Sequence, residues 1–382
     1  MEDGFRFADA FGPARVVQIH RPSLNLRAIV AIDNTACGPA IGGVRMALDV
    51  TAQECCRLAR AMTWKNAAAG LPHGGGKSVI FGDPRMPMEH KEEIIRAFAG
   101  AIGDLSDYVP GPDMGTDELC MGWIKDECGR AVGLPAAIGG IPLDQIGATG
   151  FGLAVCVDVA RTYIDLELKN ARLAVQGFGA VGKHAARFLV QKGAILVAAS
   201  DTSGTVIDDR GLDVAALVAF KDQGYSLRDY PSGKKLPRDA ILDVDSDIWI
   251  PAARPDVLRA DNVARLKTRL VPQGANIPCT SDAELALHKR GILTVPDFVA
   301  NAGGVICAAI EYHGGTEQAA LDYIEERIRT NTRLVLEESR KSSDVPRRAA
   351  LALAESRVRA AMQIRRWHLA PSDEKNSVRS AQ

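Results

Sequence analysis

The chain lacks most of what would take it to a nucleic acid or into a membrane. Lys plus Arg number 46 and Asp plus Glu 47, a formal net charge of −1, so there is no basic excess to hold a polyanion or an anionic lipid surface. No apolar run reaches the ~18 residues of a membrane span. The N-terminus lacks the basic-then-apolar pattern of an export signal, which makes the cytoplasm the expected compartment. None of the eight cysteines forms a Cys-x-x-Cys, and a bridge between the vicinal Cys55 and Cys56 would be strained. They read as free thiols of a reducing compartment. The seven histidines show no ligand spacing, so no metal is expected. No internal repeat is present. A chain of 382 residues is comfortable for two domains, each with its own core.

What is there begins with Met62-Thr63-Trp64-Lys65-Asn66-Ala67-Ala68-Ala69-Gly70-Leu71-Pro72-His73-Gly74-Gly75-Gly76-Lys77-Ser78, two lysines twelve residues apart around a triple glycine. Thr51 to Lys65 reads as a helix, with Thr51 as N-cap and Glu54 completing a capping box. Ser78-Val79-Ile80-Phe81 reads as a strand, so the glycines are expected to fold the chain back and set both ammonium groups beside one small carboxylate-bearing ligand. A phosphate-binding P-loop ending at Gly76-Lys77-Ser78 is a poor fit, because Leu71 stands where that loop needs glycine and a strand follows instead of a helix. Lys65 alone would read as a solvated lysine at a helix end; the pair shifts that reading.

A second constellation is Gln176-Gly177-Phe178-Gly179-Ala180-Val181-Gly182, preceded by the apolar run Ala171 to Val175 and followed by a helical pattern and the strand Ala194 to Ser200. It reads as a βαβ unit for a dinucleotide: Gly177 for a tight turn, Gly179 for close approach of a pyrophosphate, Gly182 for helix-on-strand packing. Asp201, nineteen residues after Gly182, stands where an acid takes the adenosine ribose hydroxyls. A third is Pro110-Gly111-Pro112-Asp113-Met114-Gly115-Thr116, in which two prolines stiffen the approach to Asp113. Alone, Asp113 is a turn former. Beside two lysines and a dinucleotide site it reads as a general acid/base.

These blocks, with Gly38-Pro39-Ala40-Ile41-Gly42-Gly43-Val44-Arg45-Met46, Ala148-Thr149-Gly150, Gly274-Ala275-Asn276 and Asn301-Ala302-Gly303-Gly304-Val305, resemble the glutamate/leucine/phenylalanine/valine dehydrogenase superfamily, in order, from about Val16 to about Trp367. The resemblance implies reversible oxidative deamination of an L-amino acid to a 2-oxo acid and ammonia, with hydride passing to a nicotinamide. It implies that Lys65 holds the substrate carboxylate with Gly43 and Met62 nearby, that Lys77 and Asp113 are catalytic, and that Asn301 lies near substrate and nicotinamide. Thr149, Ala275 and Asn276 then join Gly177, Phe178, Gly179, Ala180, Val181, Gly182 and Asp201 as cofactor contacts. NAD is the expected cofactor, since the Asp201 carboxylate would repel a 2′-phosphate. NADP is the alternative, because some glutamate enzymes with a similar Ser-Asp-x-x-Gly wording use it. The partners implied are a small amino acid substrate and other copies of the chain in a homo-oligomer.

The side-chain pocket departs from the glutamate pattern. Glutamate enzymes carry a lysine at the position of Ile41 and a serine at that of Ala308, and a substrate carboxylate buried here without them would cost several kcal/mol, on the order of 3 to 5. With Gly111 and Val305, these residues point to an apolar substrate of the leucine, valine or phenylalanine type and to a roomy pocket. The Met-Thr-Trp-Lys wording belongs more to the glutamate branch, so a glutamate dehydrogenase with an atypical pocket, using Arg45 or Arg130, is the alternative. A catalytically silent dinucleotide-binding protein is a poorer reading, because Lys65, Lys77 and Asp113 all occur together.

The expected fold is α/β with two domains and a cleft between them: a substrate and oligomerisation domain over residues 1–145, completed by helices at about 325–370, and a Rossmann-type domain over 146–324. A polar tail at 371–382 follows.

Overall fold

The computed structural model describes residues 5–364; the polar tail expected at 371–382 lies outside them. By compactness the chain divides into two units, one formed by the residues up to Ile141 together with the stretch from Ala352, the other by Pro142–Leu351.

The first unit runs β1 (Arg15–Arg21), β2 (Leu26–Asn34), β3 (Ala40–Ala47), α1 (Ala52–Ala69), β4 (Gly74–Phe81), α2 (Met88–Ala101), β5 (Tyr108–Pro112) and α3 (Glu118–Cys128). Its five-stranded sheet has the order β1-β2-β4-β3-β5. β1, β2 and β4 pair antiparallel, while β4, β3 and β5 are parallel. Period-two alternation assigns the two faces. Ala28, Val30, Ile32, Val44, Met46 and Ile80 pack with Phe98 of α2 and Met121 of α3, whereas Ile29, Ala31 and Val79 pack with Cys55, Cys56 and Ala59 of α1.

The triple glycine is not a turn. The chain reverses at Gly70, left-handed at φ 70°, which caps α1, and Gly74–Gly76 already belong to β4. Their small size serves close packing instead. A Cβ at Gly75 would sit 2.0 Å from the Thr63 backbone nitrogen and one at Gly76 2.8 Å from the Tyr108 ring. α1 can therefore lie directly on the strand that carries Lys77, and Asn66 donates from Nδ2 to the Gly74 carbonyl at 2.7 Å to fix it there. Thr51 caps α1 as expected, its hydroxyl accepting from the Glu54 N–H at 3.1 Å. The Glu54 carboxylate does not return to Thr51 but reaches Arg45 at 2.5 Å.

The second unit continues with α4 (Leu143–Ile146), α5 (Ala148–Ala160), β6 (Arg172–Gln176), α6 (Ala180–Gln191), β7 (Ile195–Ser200), β8 (Thr205–Ile207), α7 (Val214–Asp222), β9 (Lys234–Leu236), β10 (Ile248–Pro251), β11 (Leu270–Pro272), α8 (Ser281–Lys289), β12 (Leu293–Val295), α9 (Asp297–Ala300), α10 (Gly303–Tyr312) and α11 (Glu317–Ser342). α12 (Pro346–Ile364) crosses back to the first unit. The sheet order is β12-β11-β10-β6-β7-β8-β9, parallel from β12 to β7 and antiparallel beyond. β6 lies between β7, its successor, and β10, so the switch point of a Rossmann sheet falls at the carboxyl ends of β6 and β10.

The return to the first unit, expected from the sequence at about 325, falls here at Ala352. α11 packs along α5, so closely that a Cβ at Gly152 would meet Ile328 at 2.5 Å. Leu143–Tyr163 is long and apolar enough to cross a membrane by length and composition, and 61% of that window is buried inside the protein. Its neighbours α6, α10 and α11 make it a core element of this unit.

Candidate active site

Lys77 is central to the first unit's constellation. It alternates with Gly75 and Val79 on the face of β4 that α1 covers, and it is 6% exposed. Its Nζ lies 2.5 Å from Asp113 Oδ2. Asp113 follows β5 and is pinned by its neighbours: its N–H donates to Thr116 Oγ1 at 3.1 Å, and that hydroxyl donates to the Val44 carbonyl at 2.7 Å. Gly43 on β3 makes room, because a Cβ there would stand 2.7 Å from Asp113 Cβ and 3.1 Å from Lys77 Nζ.

The electrostatics follow from this packing. Burial pushes the Lys77 ammonium below its ordinary value, against the pull of Asp113. For Asp113, burial opposes ionisation, yet Lys77 and Arg45 outweigh it and hold the carboxyl below the usual range. Nothing in the local sequence marks Arg45 for this role. Its Nε donates to the same Oδ2 at 3.0 Å while a second nitrogen holds Glu54. Both cations thus meet the same oxygen, Oδ2, of Asp113.

Lys65 and Met62 lie one turn apart on α1, both half-buried. Ile41, Gly43 and Arg45 alternate on one face of β3, with Ile41 buried and in register with Gly75 and Val109. Gly111 pairs with Gly43, and the space beside it is bounded by Val132, whose Cγ2 would stand 3.0 Å from an added Cβ. The two arginines considered for a substrate carboxylate are already engaged. Arg45 holds Asp113 and Glu54, and Arg130 donates to the carbonyls of Tyr108, Gly103, Cys128, Ile102 and Leu105.

In the second unit the fingerprint glycines have distinct geometries. Gly177 is left-handed at φ 95°, and a Cβ there would strike Ala253 at 2.6 Å. A Cβ on Gly182 would lie 2.0 Å from the Gly177 carbonyl oxygen, the close helix–strand approach expected of it. Gly179 faces open space, with nothing within 4 Å of an added methyl. It opens α6, whose first turn holds Ala180, Val181 and Gly182 with their N–H groups available to an anion. Phe178 is buried. The residues therefore fit a dinucleotide pyrophosphate, which would rest against Gly179 and the start of α6.

Asn301 is buried, donating from Nδ2 to Asn276 Oδ1 at 2.9 Å and to the Gly274 carbonyl at 3.2 Å, beside Ala275. Its Oδ1 is buried without a partner. Gly303 and Gly304 bring this run against Thr149, since Cβ atoms there would approach Thr149 Cα at 3.1 Å and its Oγ1 at 3.0 Å. Val305 and Ala308 follow three residues apart on α10, sharing a helix face. A network the sequence does not disclose fixes the loop after β11. Arg347 donates to Glu284 at 2.7 Å, Gln273 at 2.9 Å and Asp297 at 2.8 Å, and Asp297 accepts from the Ile277 N–H at 2.9 Å. No group of metal-binding side chains occurs among the described residues, and none of the eight cysteines forms a disulfide.

A Rossmann-type unit with a fingerprint turn, joined in one chain to a buried lysine paired with a half-buried aspartate, defines the class of a dinucleotide-dependent oxidoreductase. Comparison with known proteins gives the family. The family models "Glutamate/Leucine/Phenylalanine/Valine dehydrogenase" and "Glu/Leu/Phe/Val dehydrogenase, dimerisation domain" match residues 139–366 and 13–130. The chain belongs to this family of NAD(P)-dependent enzymes acting on the CH–NH2 group of amino acids. The glutamate dehydrogenase of Aeropyrum pernix is 37% identical over 357 residues, 87% of this chain and 85% of that protein. The NADP-specific glutamate dehydrogenase of Saccharolobus shibatae is 36% identical over 354 residues, 87% and 83% of the two. Among solved structures, the hetero-hexameric glutamate dehydrogenase of Thermus thermophilus in its Leu-bound form superposes with a TM-score of 0.84 at 27% identity, covering 94% of this chain and 92% of that one. The L-tryptophan dehydrogenase of Nostoc punctiforme gives 0.72 at 25%, covering 94% and 98%. The names of the sequence relatives favour glutamate over the apolar amino acids suggested by Ile41 and Ala308.

Proposed function

We propose that the chain catalyses the reversible oxidative deamination of an L-amino acid: amino acid, NAD(P)+ and water give a 2-oxo acid, ammonium, NAD(P)H and a proton. The observation that carries this is the contact of buried Lys77 with half-buried Asp113 at 2.5 Å, with no side chain at Gly43 to fill the space beside it. Asp113, held ionised, accepts a proton from the substrate ammonium. Lys77, brought towards neutrality by burial, deprotonates the water that attacks the imino carbon. Lys65 binds the α-carboxylate, with Met62 one turn away. Bound nicotinamide supplies the hydride acceptor. Thr149, Asn276 and Asn301 hold its end of the cofactor, and the turn from Gly177 to Gly182 holds the diphosphate. Deamination should rise on the alkaline side, because Lys77 must be neutral and the substrate must lose a proton. The protein acts as a homo-oligomer in the cytoplasm.

Glutamate is the first reading for the substrate, on the names of relatives 36–37% identical. A second reading, an apolar L-amino acid, is favoured by Ile41 and Ala308, which offer no charge to a side-chain carboxylate, and by the prior engagement of Arg45 and Arg130. The test is the ratio of kcat/KM for glutamate to that for leucine, in the parent and in the double variant Ile41→Lys, Ala308→Ser. A ratio above one in the parent supports glutamate. A ratio below one that rises in the variant supports the apolar pocket, because the incoming carboxylate would then meet a cation and a hydroxyl. No activity with either substrate, or with valine, methionine or phenylalanine, would sink both.

A further inference from the structure

The residue at the end of β7 does not do what its position suggests. In a site for NAD, the acid there uses its own lone pairs to hold the ribose hydroxyls. Asp201 has none to spare. Its Oδ1 accepts from the Ser203 N–H at 2.8 Å and the Ser203 hydroxyl at 2.5 Å. Its Oδ2 accepts from Lys221 Nζ at 2.8 Å and the Leu227 N–H at 2.9 Å. Four donors fill the roughly four lone-pair sites of a carboxylate. Partial burial works against ionisation, but the bonds from Lys221 and Ser203 prevail and hold the carboxyl at about 2. The charge is therefore permanent and already answered by a cation, so the repulsion that would exclude a phosphate is cancelled.

Beside this pair lies a cavity of about 330 Å³, lined also by Gly177, Gly179, Ala253, Arg238 and Arg254. Three cations face one carboxylate. Arg254 has no ion-pair partner among the described residues, and Arg238 makes only a 3.4 Å contact with the exposed Asp239. A second observation points to a ligand in the same place. Gln176, 6% exposed, borders this cavity and an adjoining one of about 260 Å³, and its side-chain oxygen is buried with no partner. An adenine amino group is a donor of the kind that acceptor lacks.

We propose that the adenosine end of this site selects a 2′-phosphate, so that the enzyme uses NADP, with Lys221, Arg238 and Arg254 setting the choice and Gln176 receiving the adenine amine. The inference rests on the dinucleotide-binding reading of the second unit and extends it to the identity of the cofactor. It replaces the argument for NAD from the bare presence of Asp201.

The test is calorimetric titration of the whole chain with two fragments, 5′-AMP and 2′,5′-ADP, which differ in the one phosphate at issue. The parent should bind 2′,5′-ADP tenfold or more tightly than AMP, about the effect of one charged hydrogen bond, and the preference should weaken with salt. Arg254→Ala combined with Arg238→Ala should bring the ratio towards one while AMP affinity stays within about twofold, which also shows that the variant is folded. Lys221→Met should go further and reverse the ratio, because Asp201 regains an unanswered charge. Gln176→Leu should weaken both fragments alike. Equal or tighter binding of AMP by the parent, or a ratio that survives the arginine substitutions, overturns the proposal. If neither fragment binds and neither NAD nor NADP binds, the dinucleotide reading itself fails, and the proposal with it.

Discussion

Replacing Arg45 with glutamine should move the pH dependence of deamination instead of abolishing it. Arg45 and Lys77 both touch Asp113 Oδ2, at 3.0 and 2.5 Å, so the two cationic nitrogens lie within about 5.5 Å of each other. Withdrawing the guanidinium acts on both titrating groups with one sign. Asp113 loses an opposite charge and its pKa rises; Lys77 loses a like charge and its pKa rises as well. Deamination needs Asp113 ionised and Lys77 neutral, so both changes push the onset of activity to higher pH. At that separation the Coulomb interaction is about 0.75 kcal/mol in water and about 3 at an effective dielectric of 20, which corresponds to a shift of about 0.5 to 2 pKa units. Glu54, left unpaired, adds to the shift, and Arg45→Gln with Glu54→Gln removes that contribution. The assay is kcat/KM for deamination across pH 6 to 10 in parent and variants. An onset that stays put while the rate falls would make Arg45 a packing residue only, and an onset that moves to lower pH would refute the charge assignment.

Gly75→Ala should destabilise the first unit by at least the roughly 1 to 3 kcal/mol of an overpacked core, since its Cβ would be 2.0 Å from backbone of α1; a thermal melt should fall by several degrees, and an unchanged melt would contradict the close approach. Arg347→Ala should cost about 3 to 5 kcal/mol by leaving buried Glu284 and Asp297 without their cation. Arg347→Lys should recover only part of this in a denaturant titration, because one ammonium cannot span three acceptors.

The sequence reveals most where a function needs a local pattern. The turn from Gly177 to Gly182 is legible because each glycine answers a separate geometric demand within a few residues. Nothing local marks β3 and β5 as strands. One carries Gly42 and Gly43 and the other Pro110, Gly111 and Pro112, residues that depress strand propensity and are tolerated here by close packing and by the edge position of β5. The triple glycine resembles a turn for the same reason: a helix lying on Gly75 is a tertiary fact. Lys65, Lys77 and Asp113 stand in recognisable words, but the groups that tune them do not. Arg45 lies 68 residues from Asp113, Lys221 lies 20 from Asp201 on another element, and Arg347 lies 50 to 74 from its partners. Such pairs become visible only when the chain has folded.

The most direct test of the account is to incubate purified protein with glutamate or leucine and with NAD or NADP, and to measure reduced dinucleotide, 2-oxo acid and ammonium together. The three should appear in equal amounts in the parent. Lys77→Ala, with the fold intact by circular dichroism, should lower kcat by about 10² to 10⁴, as loss of an acid/base group does. Reduction without ammonium, or a Lys77→Ala enzyme within a few-fold of the parent, would contradict the assignment of this chemistry to the Lys77–Asp113 pair.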